Sequence, residues 1–255
     1  MIPPRFRRLV LELSAGADPA AMRAAAGLAR LLGVDLHGLF VEDEALLGVS
    51  LFGFAREIDA VSFQWRALDP DGLAADLRAA AARARHALTE AARAAGLVAH
   101  FEVRRGDPVS HVADLRADTD IVAVWQAGHA ARDTRRVRES AYRSAASVLV
   151  LPRDGARRDG PVVAVAADAD DPALRVAAGI AAAAGAATIV LSETPMALGA
   201  DVRSIGGVDP LHIALALGAT RERLIVLSRG RTGDIGASLA AARGTPVLVL
   251  EGGGV

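Results

Sequence analysis

Residues 224–250 read LIVLSRGRTGDIGASLAAARGTPVLVL, and they hold the pattern with the most chemical potential in this chain. An apolar run ends in Ser228-Arg229, glycines fall at 230, 233 and 236, and an alanine-rich stretch leads to a second apolar run. Strand, glycine turn, helix, strand is a layout in which backbone N–H groups cradle a phosphate at a helix N-terminus. No lysine can assist there, because all 29 Lys+Arg residues are arginine. That absence excludes a Walker A loop, a pyridoxal Schiff base and a kinase strand lysine.

Other catalytic patterns are missing as well. The chain has no cysteine, so disulfides, thiolate nucleophiles and cysteine-ligated zinc are excluded. Neither G-x-S-x-G nor G-x-G-x-x-G occurs, and the six histidines (37, 86, 100, 111, 129, 212) form no H-E-x-x-H or H-x-H pair. His111 and His212 fall in corresponding helices and read as helix-face residues. The sequence nominates no acid–base pair and supports no catalysis, so a binding or regulatory role is expected. A net charge of −1 leaves no global field for nucleic acid. No apolar run reaches the ~20 residues that cross a bilayer. Nor does the stretch from Met1 to Arg8 resemble a signal peptide, so a cytoplasmic location is expected.

The elements that must position the glycine turn occur twice. "RLVLELSAGADPAAMRAAAGLARLLG" and, after "PRDGARRDGP", "PVVAVAADADDPALRVAAGIAAAAG" each give an apolar strand, a polar loop, Asp-Pro and an alanine-rich helix. Asp18 and Asp171 fall at N-cap positions, Pro19 and Pro172 at the first helical position, and Gly33 and Gly185 at the ends. "FEVRRGDPVSHVADLRADTDIVAVWQAG" parallels "VRSIGGVDPLHIALALGATRERLIVLSRG", with Asp107-Pro108 and Asp209-Pro210 opening helices. "SVLVLPRDG" parallels "TPVLVLEGG". Alternating short strands and helices imply parallel sheets covered on both faces. Two similar α/β lobes follow, at 1–154 and 160–255, the first with a long insertion over 44–97. Within it, Leu73, Leu77, Ala81, Ala84, Leu88, Ala91 and Ala95 make one apolar stripe. The second half has only residues 193–200 there. That is short for a parallel crossover, so the link either runs as bare extended chain or its strand pairs differently.

These motifs, "RRGDP" before a helix, then "DIVAVWQAG" and "SVLVLP", then "LIVLSRGRTG" and "TPVLVL", resemble the universal stress protein family in tandem form. The resemblance spans roughly residues 5–251. It implies two five-stranded, doubly wound Rossmann-like lobes of the adenine nucleotide alpha hydrolase type. They would be related by a pseudo-two-fold axis and paired through their last strands. Some members bind ATP through G-x-x-G, nine residues, then G-[S/T], with an acid ending the first strand; others lack the motif. Here the resemblance implies an adenine nucleotide, ATP or AMP, held by Asp168, Gly230, Arg231, Thr232, Gly233 and Ser238. The next G-[S/T], Gly244-Thr245, follows ten residues instead of nine and sits at the helix's far end, where the dipole repels phosphate. Gly236-Ala237-Ser238 is a weaker substitute.

The first half departs further. Ser14 stands in the acid's place and only Gly128 remains of the turn. Arg132, Arg135, Arg136, Arg138 and Arg143, partly balanced by Asp133 and Glu139, follow it as a phosphate or acidic-partner cluster or a solvated helix face. "SAGAD" (14–18) resembles the pyrophosphate loop of ATP pyrophosphatases, the alternative reading, though a helix cap explains Asp18 and Pro19 together. "DADD" (168–171) resembles the paired aspartates of haloacid-dehalogenase-type phosphotransferases, yet one acid is needed as a cap.

The segment 44–72 has no counterpart in the second half and carries Phe52, Phe54, Phe63 and Trp65. It reads as a lid, a self-association contact or a partner-docking surface, or else as a fold-back onto its own core. A homo-oligomer is expected, and a purely structural or oligomerisation module is the other alternative reading.

Overall fold

The computed structural model describes residues 6–13, 19–59, 62–115, 120–125, 131–152, 159–196, 201–229 and 235–251, with side chains of 131–135 left aside. In the first half, β1 (Arg8–Glu12), α1 (Pro19–Leu32), β2 (Asp35–Asp43) and α2 (Glu44–Ser50) lead into a hairpin, β3 (Arg56–Ile58) and β4 (Trp65–Ala67). Then come α3 (Pro70–Ala94), β5 (Ala99–Gly106), α4 (Pro108–Ala113), β6 (Asp120–Trp125), α5 (Ala131–Arg143) and β7 (Ser147–Leu151). The second half runs β8 (Val162–Val165), α6 (Pro172–Ala184), β9 (Thr188–Ser192), β10 (Asp201–Ser204), α7 (Pro210–Leu217), β11 (Leu224–Ser228), α8 (Ile235–Arg243) and β12 (Val247–Leu250).

Ten strands form one sheet in the order β10-β9-β8-β11-β12-β7-β6-β1-β2-β5. Counted within its own half, each side has the order 3-2-1-4-5. The two orders meet as mirror sequences at β12 and β7, which pair antiparallel within an otherwise parallel ten-stranded sheet, with Val247 opposite Val150 and Val249 opposite Val148. This is the relation a two-fold axis between the last strands produces, and it makes two doubly wound lobes share one sheet.

The central strands β7, β8 and β12 are buried along their whole length. Helices cover both faces there, which is why the strands read as continuous valine-leucine runs. One face packs under α1, α3 and α6 through Leu28, Leu88, Ile180 and their neighbours. The other packs under α4, α5, α7 and α8 through Val112, Val137, Ile213 and Leu239.

The Asp-Pro pairs do what their spacing predicts. Asp107 accepts from the Val109 amide, Asp171 from Ala173, and Asp209 from Leu211 and His212, with proline in the first turn each time. Pro19 opens α1, while Asp18 lies outside the described residues. Gly33 (φ 68°) and Gly185 (φ 60°) take the left-handed conformation that ends a helix.

The short link of the second half does not change how its strand pairs, since β10 sits beside β9 as β5 sits beside β2. β10 lies parallel beside β9, with Asp201 opposite Ile189, and the described part of the link carries no helix. In the first half the same crossover is filled by α2, the hairpin and α3. The stripe on α3 is buried at Ala81, Ala84, Leu88 and Ala91.

Candidate functional site

In a doubly wound sheet, ligands bind beyond the carboxyl ends of the strands where the strand order reverses. In the second half that place lies between β8 and β11, whose connections leave toward α6 and α8 on opposite faces. The loop after β8 is fixed by one carboxylate. Asp171, 9% exposed, accepts from the Ala173 amide at 2.9 Å, the Ala167 amide at 3.0 Å and the Ser228 hydroxyl at 2.7 Å. Thr194 donates its hydroxyl to the Ala167 carbonyl at 3.1 Å, which ties the end of β9 to the same loop.

The consequence for ligands is electrostatic. A carboxylate at the start of α6 meets the positive end of the helix dipole and occupies the place an anion would take. The N-terminus of α6 is therefore closed to a phosphate. Asp168 lies on the rim, exposed, its carboxylate accepting the Asp170 amide at 3.0 Å. It stands three residues beyond the end of β8. Asp168 and Asp171 of "DADD" serve as loop and helix caps, and among the described residues no cluster of three or more acids and histidines could hold a metal.

Gly230, Arg231, Thr232 and Gly233 lie outside the described residues. Two described residues nearby, Arg229 and Gly236, each have a structural task. Arg229 donates to the Ser144 carbonyl at 2.9 Å and the Ala146 carbonyl at 2.7 Å, ion-pairs with Glu251, and lies over the Tyr142 ring. It thus binds the end of β11 to the turn between α5 and β7, across the joint of the two halves. Gly236 is buried, and a Cβ there would lie 2.7 Å from the Tyr142 hydroxyl and 2.9 Å from Val249. The glycine is required by the close approach of α8 to Tyr142 of α5 and Val249 of β12. Ser238 is exposed, in the first turn of α8.

Gly244-Thr245 belongs to a different structure, as its position at the helix end predicts. Thr245 is fully buried and donates to Glu222 at 3.0 Å. Glu222, itself buried, receives a two-pronged contact from Arg243 at 2.9 Å on each oxygen. The glutamate holds the Arg243 guanidinium above its ordinary pKa through that hydrogen-bonded contact, which outweighs burial.

In the first half the strand order reverses between β1 and β6; Ser14, Asp18 and Gly128 lie outside the described residues. Of the arginine cluster, Arg136 and Arg143 are exposed and Arg138 is half-buried. Arg132 and Arg135 side chains are not described.

Sequence reasoning missed a polar patch on the sheet itself. A shallow cavity of about 220 Å³ is lined by Arg8, His37, His100, Glu102 and Arg104 on neighbouring strands β1, β2 and β5. His37 and His100 stand opposite each other in register, their rings stacked with centroids 4.6 Å apart. Burial first, then His100 and Arg8, hold the His37 imidazole below its ordinary pKa. Arg8 grips the buried Asp120 through two contacts of 2.7 Å. The signal lay in "DLHGL" and "AHFEV", where histidine takes the same alternating place in two strands that pair. His111 and His212 behave as helix residues: His111 contacts the Arg105 carbonyl and His212 contacts Asp209.

No family model matches the chain. No curated protein matches it either. Solved structures do. A functionally unknown protein from Pseudomonas aeruginosa PAO1 is similar at a TM-score of 0.57 and 14% identity, over 96% of this chain and 92% of that one. A protein assigned to the universal stress proteins, from P. aeruginosa UCBPP-PA14, gives 0.57 and 15% identity, over 96% and 93%. The cytoplasmic domain of a prokaryotic cation chloride cotransporter gives 0.54 and 12%, over 96% and 95%. At these identities the likeness is one of fold. Together with the two 3-2-1-4-5 halves joined at β7 and β12, it establishes that this chain has the fold of the universal stress proteins, as two doubly wound lobes in tandem.

Proposed function

We infer that the protein is a non-catalytic, cytoplasmic binding protein of the universal stress type, and that its ligand is an adenine nucleotide, ATP or AMP. The binding half is 160–255, and 1–154 is the companion lobe. Gly230, Arg231, Thr232 and Gly233 supply amides and a guanidinium to the phosphates. Ser238 adds a hydroxyl from α8, and the rim carboxylate of Asp168 accepts from the ribose hydroxyls.

One observation carries the reading. Asp171 is turned inward onto Ser228 and Ala167, while Asp168 of the same loop stays exposed beside the strand that runs into the glycine turn. The loop is thereby stiffened without filling the rim, and a stiff loop loses less entropy when it takes a ligand.

Titration calorimetry with ATP and AMP tests this. Both Asp168→Ala and Gly233→Ala should weaken binding at least about tenfold, the loss of one good polar contact or of the turn's geometry. Absence of measurable heat with both nucleotides, or affinity unchanged in Gly233→Ala, would remove this reading. Native mass spectrometry of the protein released from cells would show any nucleotide it carries.

A further inference from the structure

The hairpin between α2 and α3 buries little of what it carries. Phe54 is 80% exposed, Phe63 78%, Leu51 76% and Trp65 64%. Phe52 stacks on Phe54 with ring centroids 5.4 Å apart, and Ile58 faces Trp65 across the two strands. β3 and β4 form a sheet of two strands only, so each keeps one edge without a strand partner. Ribbons of two strands are marginal in water unless something covers them. Phe63 is held at φ 55°, a conformation rare for a bulky residue and maintained only where the surroundings favour it.

We propose that this face closes on a second copy of the chain, hairpin against hairpin about a two-fold axis. Three features select that occupant. Leu51, Phe52, Phe54, Ile58, Phe63 and Trp65 together offer roughly 800 Å² of apolar surface, about what one partner contributes to a stable interface. The hairpin's four charges, Arg56, Glu57, Asp59 and Arg66, sum to zero, and Arg66 contacts Glu57 at 2.6 Å and Asp59 at 3.8 Å. No charge excess is left to attract an acidic or basic partner or an anionic membrane surface. Finally, a strand with an open edge pairs antiparallel with its own copy across a dyad, which gives that edge its backbone partners. The aromatic side chains then form the water-free centre of the contact, where such anchors contribute most.

The absence of cysteine makes the test clean. Gln64→Cys, at the exposed hairpin turn, places the sole thiol near the dyad. Under mild oxidation it should yield a covalent dimer, while Arg83→Cys on the exposed side of α3 should form no covalent link. In sedimentation the unaltered full chain should be a dimer at tens of micromolar. Phe54→Ser combined with Trp65→Ser should raise the dissociation constant at least about 100-fold, with unchanged circular dichroism. A monomeric unaltered chain overturns the proposal, as does a dimer that neither cross-links at residue 64 nor weakens in the double variant. If the double variant fails to fold, the Gln64→Cys result decides alone, since it leaves every apolar residue in place.

Discussion

Ser228 donates its hydroxyl to Asp171 at 2.7 Å, so the last residue of β11 is fastened to the first turn of α6. The same carboxylate takes the Ala167 and Ala173 amides. Asp171→Ala should therefore cost about 2–4 kcal/mol, a lost helix cap plus buried donors left without an acceptor. Ser228→Ala, which removes one bond only, should cost about 1 kcal/mol. Urea unfolding of the two variants checks the ratio; equal losses would show that Asp171 is not the centre of the latch.

Gly236 lies where α8 meets α5, and any side chain there meets Tyr142 and Val249. Gly236→Ala should destabilise the protein by roughly 1–3 kcal/mol through overpacking. Pairing it with Tyr142→Phe, which removes the nearest atom, should return part of that loss. Thermal melts of the single and double variants decide; a neutral Gly236→Ala would mean that Tyr142 and Val249 give way without cost.

Arg243 and Glu222 form a pair with the acid fully buried and the base 14% exposed. Removing one partner leaves a charge without compensation. Arg243→Ala should cost about 3–5 kcal/mol, and Glu222→Leu in the same chain should recover much of it. Equilibrium unfolding of the three variants is the measurement, and an additive double variant would contradict the coupling.

His37 sets a pH dependence with a definite sign. Its folded pKa lies below the ordinary 6.5, because burial, His100 and Arg8 oppose the charged imidazolium. The unfolded chain therefore binds the extra proton first. Stability contributed by neutral His37 is complete above about 6.5 and declines as pH falls toward the lower folded value. Melting temperatures from pH 7.5 down to 5.5 should fall less steeply in His37→Gln than in the unaltered protein. Identical slopes would show that this imidazole does not report on the fold.

Much of the architecture is legible in the residues because its causes are local. An N-cap needs an acid two or three positions before a free amide, so Asp107, Asp171 and Asp209 can be placed without knowing what lies across the sheet. Valine-leucine runs between helices announce strands covered on both faces. The recurrence of these units in one order announces two halves of the same design. The glycine turn at 230–233 and the rim acid Asp168 come from the same kind of reading, and their role as a site rests on the family resemblance.

What the sequence determined by itself, then, was the set of elements, their repetition and the ends of the helices, since each depends on interactions spanning a few residues. Tertiary structure decided which side chains those elements bring together. It set Arg229 against Ser144, 85 positions away, and Asp171 against Ser228, 57 away. It also stacked His37 on His100 and left the 44–72 hairpin uncovered. Those outcomes follow from strand order and register across one ten-stranded sheet, and no short stretch of sequence encodes either.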